Sequence, residues 1–157
     1  MLNKQSAEAV QGDFIYRLVT EKAEYRETEA VKIYGELEYM GDKESVTIFH
    51  AASPFYFPIT EKTRDYEIAY NMNTPLISTV LKKGVPLREQ YKGGGGYDEH
   101  DDKNYIAFIQ DLRDMRFPGG YYVAAGFADF YVQSKIGNEE KQEDFHIKAQ
   151  IDFSVKE

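Results

Sequence analysis

The sequence predicts an all-β fold: an antiparallel sandwich of seven to eight strands with one helix at about 102–116. Three observations predict it. First, Phe145, Ile147, Ala149, Ile151, Phe153 and Val155 are apolar, and the residues between them, His146 to Lys156, are polar. Strict alternation at period 2 describes a strand with one buried and one wet face. One-sided strands of this kind belong mostly to antiparallel sheets. Second, Val31, Ile33, Leu37 and Tyr39 repeat that pattern, with Gly35 interrupting the inward face. A glycine inside a strand marks a bulge or a close backbone approach. Third, one stretch breaks the rule. Tyr105, Phe108, Ile109, Leu112 and Met115 follow a helical stripe.

The other elements follow in chain order. Phe14–Thr20 reads as the first strand, and the polar segment 21–30 leads to 31–39. Val46–His50 reads as a strand paired with 31–39 across Met40-Gly41-Asp42-Lys43, a turn supplied by Gly and Asp. Tyr66–Tyr70, Ile77–Leu81 and Val85–Gln90 are three further short strands. Asp101 or Asp102 caps the helix, and Phe117-Pro118-Gly119 stops it. Tyr121–Val132 is apolar on both faces apart from Asp129, which predicts a central strand covered on both sides. The polar segment 133–144, around Gly137-Asn138, reads as a hairpin loop that pairs this strand with the last one. The count, the turn punctuation and the single helix point to an immunoglobulin-like sandwich. It lacks the usual disulfide and tryptophan, because the chain has no Cys and no Trp, and its 13 Tyr and 10 Phe must do the packing.

Composition excludes several functions. The 157 residues carry 27 acidic and 19 basic side chains, a net charge of −8. Nucleic-acid binders draw their affinity from Lys and Arg on phosphates, so no nucleic-acid partner is expected. Without Cys there is no thiolate nucleophile and no Cys-ligated metal. The longest charge-free run, Ser45–Thr60, has 16 residues; a spanning helix needs about 20. Residues 1–13 read as a flexible linker before a single domain, 14–157. That linker predicts a secreted or cell-envelope protein whose leader lies outside this sequence, with a cytoplasmic protein as the alternative. A monomer is expected.

Three local patterns carry a family resemblance. Glu24-Tyr25-Arg26-Glu27-Thr28-Glu29-Ala30-Val31-Lys32-Ile33 is similar to the Tyr-x-x-Gly-Glu-x-Val-x-Ile entry to the second strand of many bacterial immunoglobulin-like domains, with Thr28 where Gly is usual. Leu81-Lys82-Lys83-Gly84-Val85-Pro86-Leu87 is the second pattern. Phe117-Pro118-Gly119-Gly120-Tyr121-Tyr122-Val123 is similar to the Pro-Gly-x-Tyr-x-Val entry to the penultimate strand. Together they resemble the intracellular proteinase inhibitor family of Gram-positive bacteria and related exported modules, over Phe14–Val155. The resemblance implies the sandwich and, as an activity, proteinase inhibition. No inhibitory residue matches one by one.

The chemistry-bearing patterns are few. Gly93–Gly96 precedes Tyr97-Asp98-Glu99-His100-Asp101-Asp102. Asp98, Glu99, Asp101 and Asp102 offer hard oxygen ligands suited to Ca²⁺. Lys103 and Ile109 stand where an EF-hand needs Gly and Glu, so any calcium site is a looser one, and a solvated acidic cap is the competing reading. No other cofactor is expected. Ser53 lies three residues after His50, without the glycine-flanked turn that aims a nucleophilic serine. Phe55, Tyr56 and Phe57, between Pro54 and Pro58, are either a partner-binding patch or a core crossing between sheets. The leading expectation is a non-enzymatic binding or accessory module of the bacterial cell envelope, with a protein or cell-wall ligand. The alternatives are a proteinase inhibitor presenting Thr60–Asp65 or Lys92–Asp101, a calcium-binding sandwich, and a hydrolase with unidentified carboxylates.

Overall fold

The computed structural model describes residues 3–157. It is mainly β, in two facing sheets. The smaller sheet runs β1 (Ser6–Gln11), β2 (Phe14–Thr20), β4 (Ile33–Tyr39) and β10 (Leu87–Gln90), all antiparallel. The larger runs β3 (Glu24–Arg26), β12 (Glu139–Lys156), β11 (Gly120–Ile136), β5 (Ser45–His50) and β9 (Ile77–Lys82). β6 (Phe55–Tyr56) and β7 (Ile59–Glu61) also pair with β11, and β8 (Tyr66–Ile68) pairs with β7.

Eight of the twelve strands overlap the expected ones. β1, β3, β6 and β7 were not expected. Three of them have only two or three residues, too short for a period to show. The prolines explain the fragmentation of β5, β6 and β7. The chain from Phe49 to Glu61 runs antiparallel along β11, meeting it at Tyr131, then Phe127 and Ala128, then Tyr122 to Ala124. Pro54 and Pro58 interrupt the ladder because proline has no N–H to donate. Their carbonyls still accept, from Asp129 N–H at 2.8 Å and from Ala125 N–H at 2.9 Å.

Four expectations need correction. Residues 1–13 are not a free linker over their described part. β1 pairs with β2 from Ser6↔Val19 to Gln11↔Phe14, and Lys4 C=O accepts Asp152 N–H at 3.0 Å; residues 1–2 lie outside the described residues. The 31–39 and 46–50 strands do not form a hairpin. Both edges of β4 are taken, by β2 and β10, so the turn after Tyr39 carries the chain to the other sheet, where β5 pairs with β9 and β11. The sandwich is not wholly antiparallel, since β3 lies parallel to β12. The hairpin loop shrinks to Gly137-Asn138, because β11 and β12 stay paired out to Ile136↔Glu139. Gly137 at φ +67° supplies the positive φ of that turn.

The helix is shorter than 102–116. It runs as α1 (Lys103–Asp111), and a 3-10 turn follows at Arg113–Met115. The Asp102 carboxylate caps it by accepting Asn104 N–H at 2.9 Å. Phe108 and Ile109 are its buried residues. Phe108 meets Tyr66 edge-on at 5.0 Å.

The two sheets interlock at one place. Tyr16 of β2 and Phe55 of β6 are both fully buried and stack at 6.2 Å across the core. Phe55 points at Gly35 of β4: a Cβ there would lie 2.7 Å from the ring. Tyr16 points at Gly126 of β11: a Cβ there would lie 2.5 Å from its hydroxyl and 2.9 Å from Leu18. Each ring thus fills a notch that a glycine leaves in the opposite sheet. The Tyr16 hydroxyl has no hydrogen-bond partner among the described residues. Burial alone pushes its ionisation well above the ordinary tyrosine range.

Two predictions follow from the packing. Gly35→Ala and Gly126→Ala should each destabilise by about 1–3 kcal/mol in chemical denaturation, the usual cost of overpacking. Unchanged midpoints would mean the notches are not filled. Tyr16→Phe removes an unpaired buried hydroxyl and keeps the ring. Stability should stay level or rise by up to about 1 kcal/mol; a clear loss would reveal a hidden partner for that hydroxyl.

Candidate functional site: the outer face of the large sheet

The alternation of β11 builds this site. Tyr122, Ala124, Ala128 and Phe130 are buried against the smaller sheet. The residues between them, Tyr121, Val123, Ala125, Phe127, Asp129 and Tyr131, point the other way and are half-buried or exposed. The expected cover on both faces is therefore absent. β11 is central, with one dry face and one open face.

Cross-strand pairing sets aromatic rings on the open face into two upright stacks. Tyr131 opposes Phe49 of β5, with centroids 5.2 Å apart and planes at 14°. Phe127 opposes Tyr56 of β6, at 4.6 Å and 9°. His146 of β12 lies on the other side of Phe127 at 4.4 Å. Rings stacked at about the strand spacing of 4.7–4.9 Å stand perpendicular to the sheet. They bury their faces on each other and show their edges to solvent. Each stack is worth about 0.5–1.5 kcal/mol beyond its buried area.

Asp129 stands between the two stacks on β11. Two residues of rise, about 7 Å, separate it from each. Its carboxylate is half exposed and lies 3.6 Å from His146 Nδ1. Burial, and then the Asp129 charge, push the Tyr56 hydroxyl upward in pKa. The stacks and Asp129 border an open pocket of about 250 Å³, whose rim includes the 69 % exposed Leu76.

The smaller sheet presents a different outer face. Arg17 pairs with Glu8 at 2.8 Å and Glu38 at 2.9 Å, and Arg88 lies 3.6 Å from Glu36. These partly exposed charges satisfy one another on that face. The aromatic face is the one that gains by being covered.

The sequence-singled residues separate on this frame. Of the expected patch, Phe55 and Phe57 are buried, and only Tyr56 reaches the open face. Phe57 packs on Tyr91 at 5.5 Å. Asp98, Asp101 and Asp102 each accept a backbone N–H, from His100, Asp98 and Asn104, at 2.8–2.9 Å. Glu99 faces His100 at 3.6 Å on a fully exposed turn. These are turn and cap contacts. Among the described residues, no group of three or more His, Asp and Glu side chains is arranged around a common metal position.

His50 and Ser53 do not meet. The His50 Nδ1–H donates to Ala51 C=O at 2.7 Å, so in the neutral ring Nε2 accepts from the Thr79 hydroxyl at 2.7 Å. The Ser53 hydroxyl donates to Glu89 at 2.5 Å. In Thr60–Asp65, the buried Glu61 carboxylate accepts from Thr63, Arg64 and Tyr121 N–H at 2.6–3.3 Å and ties the turn down. In Lys92–Asp101, Gly95 N–H donates to Ala69 C=O at 2.6 Å. Asp152, expected on the wet face of the last strand, is buried. It accepts from Asn3 and Lys4 N–H at 3.0 and 2.5 Å and from the Tyr121 hydroxyl at 2.7 Å. The N-terminal chain covers it.

Phe49, Phe127 and Tyr131 were not singled out by sequence, and Asp129 and His146 were noted there without a functional role. The signal was present in Asp129: one charge in the otherwise uncharged stretch 121–132 indicates a face that meets water.

Comparison with known proteins adds little to this geometry. No protein-family model matches the chain, and no curated protein matches it. A crystal structure of a protein from Archaeoglobus fulgidus is similar over 94 % of this chain and 98 % of that one, at 9 % identity and a TM-score of 0.35. No helix of the described residues is long and apolar enough to cross a membrane.

Paired substitutions separate the two orientations of the 55–57 segment. Phe55→Ala should cost about 3–5 kcal/mol, the loss for a buried ring. Tyr56→Ala should cost about 1 kcal/mol, since only a surface stack is lost. Equal losses in denaturant melts would contradict the alternation described above.

Proposed function

We propose that the chain is a non-enzymatic binding module of the bacterial cell envelope that engages its ligand through the outer face of the large sheet. One observation carries the reading. The rings of Phe49, Tyr131, Tyr56 and Phe127 are gathered on a face where β11 stays open. Aromatic residues are enriched where protein surfaces make contacts, and exposed apolar patches mark such surfaces. Leu76, before edge strand β9, and Val80, which opposes Thr47 on the Phe49 side of β5, extend the patch at 69 % and 60 % exposure.

Retention on purified bacterial cell-wall sacculi tests this reading. The chain should sediment with the sacculi, and a Tyr56→Ala/Tyr131→Ala double variant should bind about tenfold more weakly while keeping its fold, since a few central aromatics dominate such contacts. Equal retention of the folded variant, or no retention of the parent chain, would overturn the reading. The same preparation should leave a panel of serine proteinases uninhibited at micromolar concentration; inhibition would replace this proposal with the inhibitor one.

A further inference from the structure

Strand β9 ends the larger sheet with its outer edge open. Among the described residues, β1, β3, β6, β8, β9 and β10 each pair with a single strand. An edge strand templates pairing with another chain unless charge, proline or shortness blunts it. β6 has only two residues. β1 carries Glu8, β3 carries Glu24 and Arg26, β8 carries Glu67, and β10 carries Arg88 and Glu89. β9 has six residues, with no charge and no proline from Ile77 to Leu81. It is the unguarded edge.

The pairing of β9 with β5 fixes which of its backbone groups face outward. Lys83 N–H donates to Glu44 C=O at 2.9 Å, in register with Ser45↔Lys82. The direction of the backbone groups alternates along an antiparallel strand. Ile77, Thr79 and Leu81 therefore bond to β5, whereas Ser78 and Val80 turn both N–H and C=O away from it. Lys82 turns its N–H the same way, and its C=O accepts Val85 N–H at 3.0 Å. A row of donors and acceptors at this spacing is matched by another extended strand.

We propose that the occupant is a second copy of this chain, with the two β9 strands antiparallel about a two-fold axis at Val80. Self-complementarity selects both the copy and the register. Val80, 60 % exposed, meets its counterpart, and each covers the other. Those two residues exchange two backbone hydrogen bonds, and each Lys82 N–H donates to Ser78 C=O of the other copy. Lys82 is the one charge on the strand. It stands opposite Ser78 of the second copy, and the two Lys82 residues lie four positions apart along the pair, about 14 Å. That separation exceeds the screening length of about 8 Å at physiological salt, so like charges do not oppose the pairing. The axis stands perpendicular to the merged sheet, so both ring-bearing faces lie on one side of it. A ligand with repeated units would meet two faces at once. The monomer expected from the sequence is then the dilute form.

Sedimentation velocity from about 5 µM to about 1 mM protein reads the association. One strand pair lies at the small end of specific interfaces, so a dimer with Kd of roughly 10–100 µM is expected. Val80→Pro removes an N–H that points away from β5, so it should keep the fold and weaken the dimer at least about tenfold. Val80→Lys and Val80→Glu should each sediment as monomers, and their equimolar mixture as a dimer, because the axis sets the two charges opposite each other. Hydrogen exchange on the unsubstituted chain provides a second readout. The Ser78 and Val80 amides should exchange more slowly at about 1 mM than at about 5 µM, and the Thr79 amide should be protected at both. A chain that stays monomeric to about 1 mM overturns the proposal. So does a dimer that Val80→Pro and Val80→Lys leave intact, or growth beyond a dimer. None of these readouts involves sacculi, so the ligand reading stands or falls separately.

Discussion

The structure depends on two aromatic rings seated in two glycine notches. Tyr16 reaches from the smaller sheet to Gly126, and Phe55 reaches from the larger sheet to Gly35. Facing sheets normally pack about 10 Å apart, with side chains from both filling the gap. Here each ring spends its length in the opposite sheet, so relative sliding of the sheets would drive Phe55 or Tyr16 into a neighbouring side chain. Close packing of this kind sets the relative position of the layers and not only their affinity. The lock also fixes Phe55, and therefore the register of β6 on β11. Tyr56 follows, because neighbouring residues on a strand point to opposite faces. The core contact thus determines which ring reaches the open face.

The two outer faces divide the surface chemistry. The charged face around Arg17, Glu38 and Arg88 is stable in water and loses little by staying there. The aromatic face keeps half-buried rings whose edges remain wet. Upright stacking partly resolves that exposure by letting Phe49 cover Tyr131, and Tyr56 and His146 cover Phe127. The gap around Asp129 is the part that stacking leaves unfilled. The N-terminal chain finishes the other end of the same face. Asp152 draws in Asn3 and Lys4, while Gln5 C=O accepts Thr20 N–H of the smaller sheet at 2.9 Å. A segment with almost no apolar content is held by backbone hydrogen bonds to both sheets.

Much of the fold was legible in particular residues. The alternation from Phe145 to Val155 gave β12 and its inward face, and the helical stripe placed a helix at 102–116, of which Lys103–Asp111 is α-helical with Asp102, one of the two expected caps, at its start. Gly35 was legible as a point of close approach, though not the ring that approaches it. The N-terminal strand was not legible, because Ser6–Gln11 carries the composition of a linker and its order comes from pairing with β2. The candidate site was half legible. Tyr56 was within the singled-out patch, but Phe127 and Tyr131 looked like core, since apolar residues on both faces of a strand read as burial on both.

The sequence by itself determined the class of the fold, the inward face of the last strand, the presence and cap of the helix and the absence of thiol chemistry. Those properties are local: they follow from periodicity, capping and composition within a few residues. Tertiary structure decided which strands are neighbours, which way Phe55, Tyr56 and Phe57 point, and that Asp129 lies between two ring stacks. Those properties join residues far apart in the chain, such as Phe49 and Tyr131 or Phe55 and Ala128. A side-chain period of two names a face but not its neighbour, and only pairing of the strands supplies the neighbour.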